Sequence, residues 1–289
     1  METVVCPPFT PFTSASPLDA ARTLVPLIRE NADRTDASRE LPRPVFEAIA
    51  DAGLFRLALP QSIGGFELDL PDYLLVLEAL GRADASTAWA INQGCIFSSL
   101  AAARLAPHVA RKIWGDTPRS VICNTPLPTA RAVLAPGGFR VSGKMGFSTG
   151  CRHASWMAAY SIIHENERPR LDAEGKPEAR YLMVPMSEAA IIDTWDTNGM
   201  RGTGTHHVEV KDVFVPEEHT FLRNAPSRES GPLYQILTTV LYGTGDTAVA
   251  LGMARVCLET FSELAGAKTP RAMQALLRDQ SMIQFNVGQ

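Results

Sequence analysis

The chain has 289 residues, of which 45% are hydrophobic and 20% charged, and its formal net charge is −4 at pH 7. This composition is typical of a globular protein with a sizeable core, and no block of like charges indicates a nucleic-acid surface. No apolar stretch approaches about 18 residues, so no membrane span is expected.

The five cysteines are scattered without C-x-x-C spacing, and the histidines have no metal-binding spacing with carboxylates. These patterns argue against a disulfide framework and a zinc site, so we predict no metal. Unpaired cysteines favour a reducing, cytoplasmic location.

The first part of the chain is predicted to be helical. Residues 1–16 are rich in Pro, Ser and Thr and are interpreted as a flexible leader. Apolar residues at helical spacing predict an all-α domain over residues 17–116. Its predicted helices are Leu18–Asn31, Pro42–Ala52, Asp72–Ala83, Ala85–Arg104 and Pro107–Trp114.

The pattern then changes to short runs rich in Val, Ile and aromatic residues, separated by Gly and Pro. This spacing predicts a β domain, a barrel or sandwich, over residues 117–226. Helical periodicity returns over residues 227–289, with a last helix from about Pro270 to Gln289. The predicted fold class is α+β, in the order α, β, α.

Two glycine motifs imitate nucleotide sites. Gly138, Gly143 and Lys144 follow the G-x-x-x-x-G-K spacing of a phosphate loop, but Met145 stands where Ser or Thr should bind magnesium. No helix is predicted after it, and we expect a turn at Ser142–Gly143 instead. The G-x-G-x-x-A run at 243–248 falls inside a predicted helix, so its small residues are interpreted as helix-packing positions.

Three segments in this α–β–α frame resemble motifs of the acyl-CoA dehydrogenase superfamily. They are CNTPLPTARAV at 123–133, GGFRVSGKMGFSTG at 137–150 and NGMRGTGTHHVEVKDVFVP at 198–216. The first lacks the Glu and the Gly-Ser-Asp that are usual in dehydrogenases. The runs FSTG, PTARA and ASTAWAINQG instead resemble the superfamily's flavin-dependent monooxygenases, which include the oxygenase components of two-component hydroxylases. The implied architecture is an N-terminal α domain, a middle β-barrel and a C-terminal helical bundle.

The resemblance implies a flavin, FAD or FMN, between the β domain and the C-terminal helices. Ser148 is the implied catalytic hydroxyl near flavin N5. The residues alone favour a turn-capping role for Ser148 and Thr149. They also favour a core position for Trp89, and Arg201 could be a surface ion-pair member. The implied flavin-binding residues are Asn124, Thr125, Phe147, Ser148, Thr149, Arg201 and Thr203. The implied substrate-binding residues are Trp89, Asn92 and Phe97.

The activity implied by the resemblance is hydroxylation of a small organic substrate through a flavin C4a-hydroperoxide. This substrate could be aromatic. A separate reductase would supply the reduced flavin, and a homotetramer is expected. The first alternative is an acyl-CoA dehydrogenase, which needs a carboxylate base. The second is an inactive or partner-dependent flavin-fold protein. Because a family-like bundle needs about four helices, we also expect the chain to be C-terminally truncated.

Overall fold

The structure is a computed structural model that describes residues 16–115 and 117–288. The predicted leader, apart from Ser16, lies outside the described residues. The α+β class is confirmed, with helices before and after a mixed sheet. The bounds of the three predicted domains stay a prediction, although every described strand falls within residues 117–226.

Within the described residues, six α-helices precede the sheet, and side-chain caps fix several of their first residues. The Asp84 carboxylate accepts the backbone N–H of Thr87, and the Ser16 hydroxyl accepts that of Asp19. One short polar helix was not predicted, because ADRTDAS carries no apolar periodicity. The helices are α1 (Pro17–Glu30), α2 (Ala32–Ser38), α3 (Arg43–Asp51), α4 (Leu70–Gly81), α5 (Ala85–Ala102) and α6 (Pro107–Trp114).

Helix α5 is the central element of the helical part. Almost all of its residues are buried, as expected of a helix that is apolar on all sides. It packs against α4 on one side and against the first strand of the sheet on another. Helix α5 therefore separates the helical core from the sheet and has access to both.

The middle strands form one mixed sheet of nine strands. They are β1 (Ile122–Asn124), β2 (Ala130–Ala135), β3 (Gly138–Met145), β4 (Trp156–Glu165), β5 (Arg168–Pro169), β6 (Ala179–Pro185), β7 (Ala189–Ile192), β8 (His207–Pro216) and β9 (Thr220–Phe221). Their main order is β7-β8-β3-β2-β4-β6-β9. Strands β1 and β2 pair with β4 in parallel, and the other pairs are antiparallel. Since β7 and β9 are not paired with each other in the described residues, the sheet does not close into a hydrogen-bonded barrel.

The turn expected at Ser142–Gly143 was wrong. Gly143 lies inside β3, at a bulge in the pairing with β8, and the β2–β3 turn contains Gly137 with φ of 79°. A Cβ on Gly143 would lie 2.6 Å from the Cα of Ala130, so the glycine permits close approach of β2. The described residues between β3 and the next strand, β4, form a loop and no α-helix, so the phosphate-loop geometry is absent there.

Helix α7 (Thr238–Ala267) packs against α4 and α5 through small residues. A Cβ on Gly252 would lie 2.5 Å from the carbonyl oxygen of Glu78. The run at 243–248 is helical, as predicted, and belongs to this helix. No helix of the described residues is long and apolar enough to cross a membrane.

The helix predicted from about Pro270 was wrong in its start. Residues 268–280 form only a short 3-10 turn, and α8 covers Ser281–Gly288. Ala272 has φ of 65°, which an α-helix does not accommodate. The Thr-Pro step at 269–270 was therefore a break, not a helix start.

Candidate active site

A cavity of about 560 Å³ lies where α5, the sheet and α7 meet. This volume is in the range of small-molecule and cofactor sites. One wall comes from the loop after β3 and the loop before β8, and the opposite wall comes from α5 and α7. The cavity is therefore built from residues that are far apart in the sequence.

The helical wall is aromatic. Trp89, Gln93 and Phe97 are four residues apart on α5, so they share one helix face and all line the cavity. The Phe97 ring packs edge-on against Tyr181 of β6, with centroids 4.8 Å apart. Tyr242 of α7 completes this wall. Flat apolar walls of this kind suit a planar ring and exclude water.

The opposite wall carries three threonine hydroxyls in a hydrogen-bonded chain. Thr203 Oγ1 donates to the carbonyl oxygen of Met200 at 2.9 Å. Thr205 Oγ1 lies 2.7 Å from Thr203 Oγ1 and 3.0 Å from Thr149 Oγ1. A carbonyl oxygen only accepts, so Thr203 uses its one proton on Met200. Thr205 must then donate to Thr203, and Thr149 must donate to Thr205. Thr149 therefore offers lone pairs, and no proton, to the cavity.

The aromatic end of this wall is held by a tight loop. The Trp195 indole N–H donates to the carbonyl oxygen of Met200 at 3.0 Å, and the ring meets Phe147 edge-on. Phe147 is 62% exposed, and both Phe147 and Met200 have left-handed backbone, with φ of 59° and 55°. Non-glycine residues in this conformation are uncommon and gather at functional sites.

His206 holds the backbone of the loop that carries Trp195. Its Nδ1 accepts the backbone N–H groups of Thr194 and Trp195 at 3.2 and 3.1 Å. The ring is fully buried, and burial lowers the pKa of His206 with help from the charge of Arg152. Nδ1 must be unprotonated to accept these bonds, so neutral His206 is the form that holds Trp195 in the cavity wall.

A carboxylate interrupts the helical wall. Asp246 of α7 accepts hydrogen bonds at Oδ1 from the side-chain amides of Asn92, at 2.8 Å, and Gln93, at 3.3 Å. Tyr73 in turn donates its hydroxyl proton to Oδ1 of Asn92 at 2.8 Å. Burial raises the pKa of Asp246, and the two amide donors oppose that shift. Asp246 is thus a desolvated carboxylate that faces a largely apolar cavity.

Two further polar groups share the cavity with Asp246. Arg223 lines it without a hydrogen bond or ion pair to any described residue, and the Tyr242 hydroxyl is buried without a partner. Burial raises the pKa of Tyr181 to about 12 and that of Tyr242 further, so both phenols stay protonated at neutral pH. Within the described residues, no group of three or more His, Cys, Asp or Glu side chains could hold a metal ion.

Comparison with known proteins identifies the family. Residues 19–111 match the family model described as acyl-CoA dehydrogenase, N-terminal domain. The crystal structure of the HsaA monooxygenase from Mycobacterium tuberculosis superimposes with a TM-score of 0.82 at 27% identity, over 94% of this chain and 70% of that one. This chain therefore contains a match to the N-terminal domain of the acyl-CoA dehydrogenase family and has the acyl-CoA dehydrogenase-like fold.

Curated relatives from this superfamily are monooxygenases. The chain is 30% identical over 248 residues to the oxygenase subunit HsaA of the flavin-dependent monooxygenase of Mycobacterium tuberculosis, which covers 83% of this chain and 61% of the relative. It is 28% identical over 253 residues to indole-3-acetate monooxygenase of Pseudomonas putida, which covers 88% of this chain and 63% of the relative. The chain thus spans less than two thirds of the length of these relatives.

The structure brings most of the implied superfamily residues together. Each of the following lines the cavity: Trp89, Phe97, Asn124, Phe147, Thr149 and Thr203. They come from α5, the end of β1 and the two loops of the hydroxyl wall. The implied flavin and substrate residues therefore face one shared space.

Ser148 and Thr125 do not line the cavity. Ser148 is fully buried; its hydroxyl donates to the carbonyl oxygen of Met145 at 3.5 Å, and its backbone N–H donates to the carbonyl oxygen of His206 at 3.1 Å. Thr125 is also buried, and its hydroxyl donates to the carbonyl oxygen of Leu127 at 3.4 Å. The loop alternates direction at this point, so Ser148 points inward where Phe147 and Thr149 face the cavity.

Arg201 and Asn92 do not line the cavity, but they hold parts of its wall in place. Arg201 bonds to Asp196 and to the carbonyl oxygens of Thr197 and Asp36, so it ties α2 to the loop before β8. Asn92 is buried and holds Asp246. The contacts of Arg201 agree with the ion-pair interpretation that the residues alone left open for it.

Several lining residues were not predicted. Gln93 could have been found, because it is four residues from both Trp89 and Phe97 and so shares their helix face. Asp246 could have been flagged as the one acid near small residues in an apolar helix segment. Thr205, Trp195 and Met200 gave no such signal, because loop conformation decides which of their side chains face the cavity.

Proposed function

We propose that this protein is the oxygenase component of a two-component monooxygenase. It would take reduced flavin from a separate flavin reductase and hydroxylate a small aromatic substrate in the cavity. One observation carries the proposal: the cavity has a wall of ordered hydroxyls facing a wall of aromatic rings. Because the chain spans less than two thirds of its curated relatives, the activity of the whole protein is part of this proposal.

The residues present fit a flavin. The chain of hydroxyls from Thr203 to Thr149 ends in lone pairs, which suit a ligand N–H. Reduced flavin carries such a group at N5, and oxidised flavin does not. Asn124, Thr149 and Thr203 would hold the polar edge, with Phe147 and Trp195 against the ring. A bound reduced flavin would supply the reaction with molecular oxygen that the protein side chains cannot perform.

The chain's own residues have three tasks in this function. Thr149 keeps a proton on the ligand N–H, because it accepts that bond and has no free proton to give. Trp89, Phe97 and Tyr242 exclude water and orient a planar substrate. Tyr181 and Tyr242 stay protonated, so they add no competing charge to the cavity.

Turnover under molecular oxygen labelled with oxygen-18 tests the proposal. The protein is mixed with an NADH-dependent flavin reductase, FAD or FMN, and indole-3-acetate or resorcinol as probes. We expect a product that contains one oxygen-18 atom and that forms only when the reductase and this protein are both present.

The dehydrogenase alternative predicts a different result. It requires that an acyl-CoA reduce the bound flavin in the absence of oxygen and that no product contain the oxygen-18 label. Absence of flavin binding would favour the inactive or partner-dependent alternative. The homotetramer and the cytoplasmic location belong to the proposal and are tested by light scattering and by cell fractionation.

A further inference from the structure

We propose that Asp246 orients the substrate and selects neutral aromatic compounds that carry a hydrogen-bond donor, either a ring hydroxyl or a ring N–H. This inference rests on the proposed function, because Asp246 lies in the same cavity. It assigns Asp246 to recognition of the substrate and leaves the flavin to the threonine wall.

The orientation of the Asn92 amide fixes the chemical role of Asp246. The Tyr73 hydroxyl donates to Oδ1 of Asn92, and Nδ2 of Asn92 donates to Oδ1 of Asp246. Rotating this amide by half a turn would place its oxygen against Oδ1 of the Asp246 carboxylate, where neither atom can donate. The amide therefore presents a donor to Asp246, which meets it as an acceptor.

Packing holds Asp246 in place. A Cβ on the preceding Gly245 would lie 2.2 Å from Oδ1 of Asn92, so α7 approaches α5 closely at this point. Gln93 adds a second amide donor, and Tyr242 lies one helical turn before Asp246 on the same face. A carboxylate held on a rigid helix in this way can set the position of a ligand within the cavity.

The second oxygen of Asp246 is open. Oδ2 makes no hydrogen bond, and the carboxylate makes no ion pair, with any described residue. Asp246 is half-buried, which raises its pKa, and removing a carboxylate from water is costly unless hydrogen bonds compensate it. A ligand O–H or N–H that donates to Oδ2 would supply the compensation that the protein does not.

The surroundings favour a neutral aromatic donor over a cation. Arg223 shares the cavity without an ion pair to any described residue, so a cationic ligand would meet a positive charge there. The walls near Asp246 are the rings of Trp89, Phe97 and Tyr242. A planar ring with one O–H or N–H satisfies both the carboxylate and these walls.

Paired probes that differ by one proton donor provide the test. Dissociation constants are measured by tryptophan fluorescence for phenol against anisole and for indole against 1-methylindole. The proteins are the wild type, Asp246→Asn and the control Glu259→Gln. Glu259 is a carboxylate on the same helix, in a surface ion pair with Arg82, so it matches the charge change outside the cavity. Reduced-flavin binding is measured separately in all three.

We expect the wild type and Glu259→Gln to prefer phenol over anisole by about tenfold to a hundredfold, as for a charge-assisted hydrogen bond. Asp246→Asn should reduce this ratio to about twofold while it still binds reduced flavin. The ratio is measured within each protein, so partial unfolding does not affect it.

Equal binding of phenol and anisole to a wild type that binds reduced flavin would overturn the inference alone. The same ratio in the wild type and Asp246→Asn would also overturn it. If no protein binds flavin but the ratio depends on Asp246, then the proposed function fails and the recognition role stands.

Discussion

Oγ1 of Thr149 lies 3.0 Å from Oγ1 of Thr205, and the carbonyl oxygen of Met200 sets the direction of the proton in that bond. A backbone carbonyl at one end therefore decides whether the hydroxyl at the cavity end donates or accepts. This relation moves the implied hydroxyl contact from Ser148 to its neighbour Thr149, because only Thr149 faces the cavity.

The first prediction separates these two neighbours. Thr149→Val removes the acceptor and keeps the side-chain shape, so we expect reduced flavin to bind about tenfold more weakly. Ser148→Ala and the exposed-site control Lys144→Ala should change the dissociation constant by about twofold at most, since neither side chain lines the cavity. Anaerobic calorimetry measures all three. A larger loss with Ser148→Ala than with Thr149→Val would restore the original assignment.

The second prediction is that protonation of His206 at low pH weakens both flavin binding and the fold. His206 is surrounded by the charges of Arg152, Asp193 and Arg39, and its folded pKa is lowered from the usual 6.5. A histidine that is neutral in the fold gives stability that is fully present above about pH 6.5 and is lost as the pH falls below it. We therefore expect reduced-flavin affinity and Tm to fall together between about pH 6.5 and 5.

The control for this effect is His153, which is half-buried with a lowered pKa but stacks on Phe46 away from the cavity. His153→Gln should lessen the acid loss of unfolding free energy by up to about 1.4 kcal/mol per pH unit and leave the acid loss of flavin affinity unchanged. A flavin affinity in the wild type that is constant from pH 7 to 5 would contradict the role of His206.

The third prediction tests the docking of α7. Gly252→Ala places a Cβ against the backbone of Glu78 and should lower the free energy of unfolding by about 1–3 kcal/mol. Gly243→Ala on the same helix meets no atom within 4 Å and should raise it by about 0.5–1 kcal/mol. Urea unfolding measures both. Equal destabilisation by the two variants would show that the α4–α7 contact is not formed as described.

The fourth prediction concerns a buried arginine that organises the loop after α3. Arg56 is fully buried and donates to the carbonyl oxygens of Gly64, Ile63, Trp114 and Thr117. Arg56→Met removes the guanidinium donor from all four carbonyl oxygens, of which Thr117 keeps the backbone N–H of Ser120, and we expect a loss of about 3 kcal/mol or more in unfolding free energy. The surface variant Arg119→Met, which breaks an exposed ion pair with Asp51, should cost less than about 1 kcal/mol. Similar losses would contradict this account.

Periodicity in the sequence was enough to locate most of the helices and strands. Apolar spacing placed α1, α3, α4 and α6 within a few residues of their bounds, because each buries one consistent face, and α5 was recognised as a long helix that is apolar on all sides. It missed α2, whose contacts are polar, and it extended a helix through Ala272, where a left-handed residue blocks it. Periodicity also could not predict whether the sheet closes, because pairing between distant strands leaves no local pattern in the sequence.

The candidate site was predictable where it lies on regular structure. Trp89, Phe97, Thr149 and Thr203 followed from the family resemblance, and the helix period explains why Trp89 and Phe97 share one face of α5. Ser148 faces inward because the loop after β3 reverses at Phe147, whose φ is 59°. Such a backbone conformation is set by the tertiary bonds to His206 and Thr203, and the local sequence does not encode it.

The most direct measurement is the affinity of the wild-type protein for reduced and for oxidised flavin, by anaerobic quenching of tryptophan fluorescence. The lone pairs at Thr149 predict saturable binding in which the reduced form binds at least about tenfold tighter than the oxidised form. Equal affinity for the two forms, or tighter binding of oxidised flavin, would contradict the account.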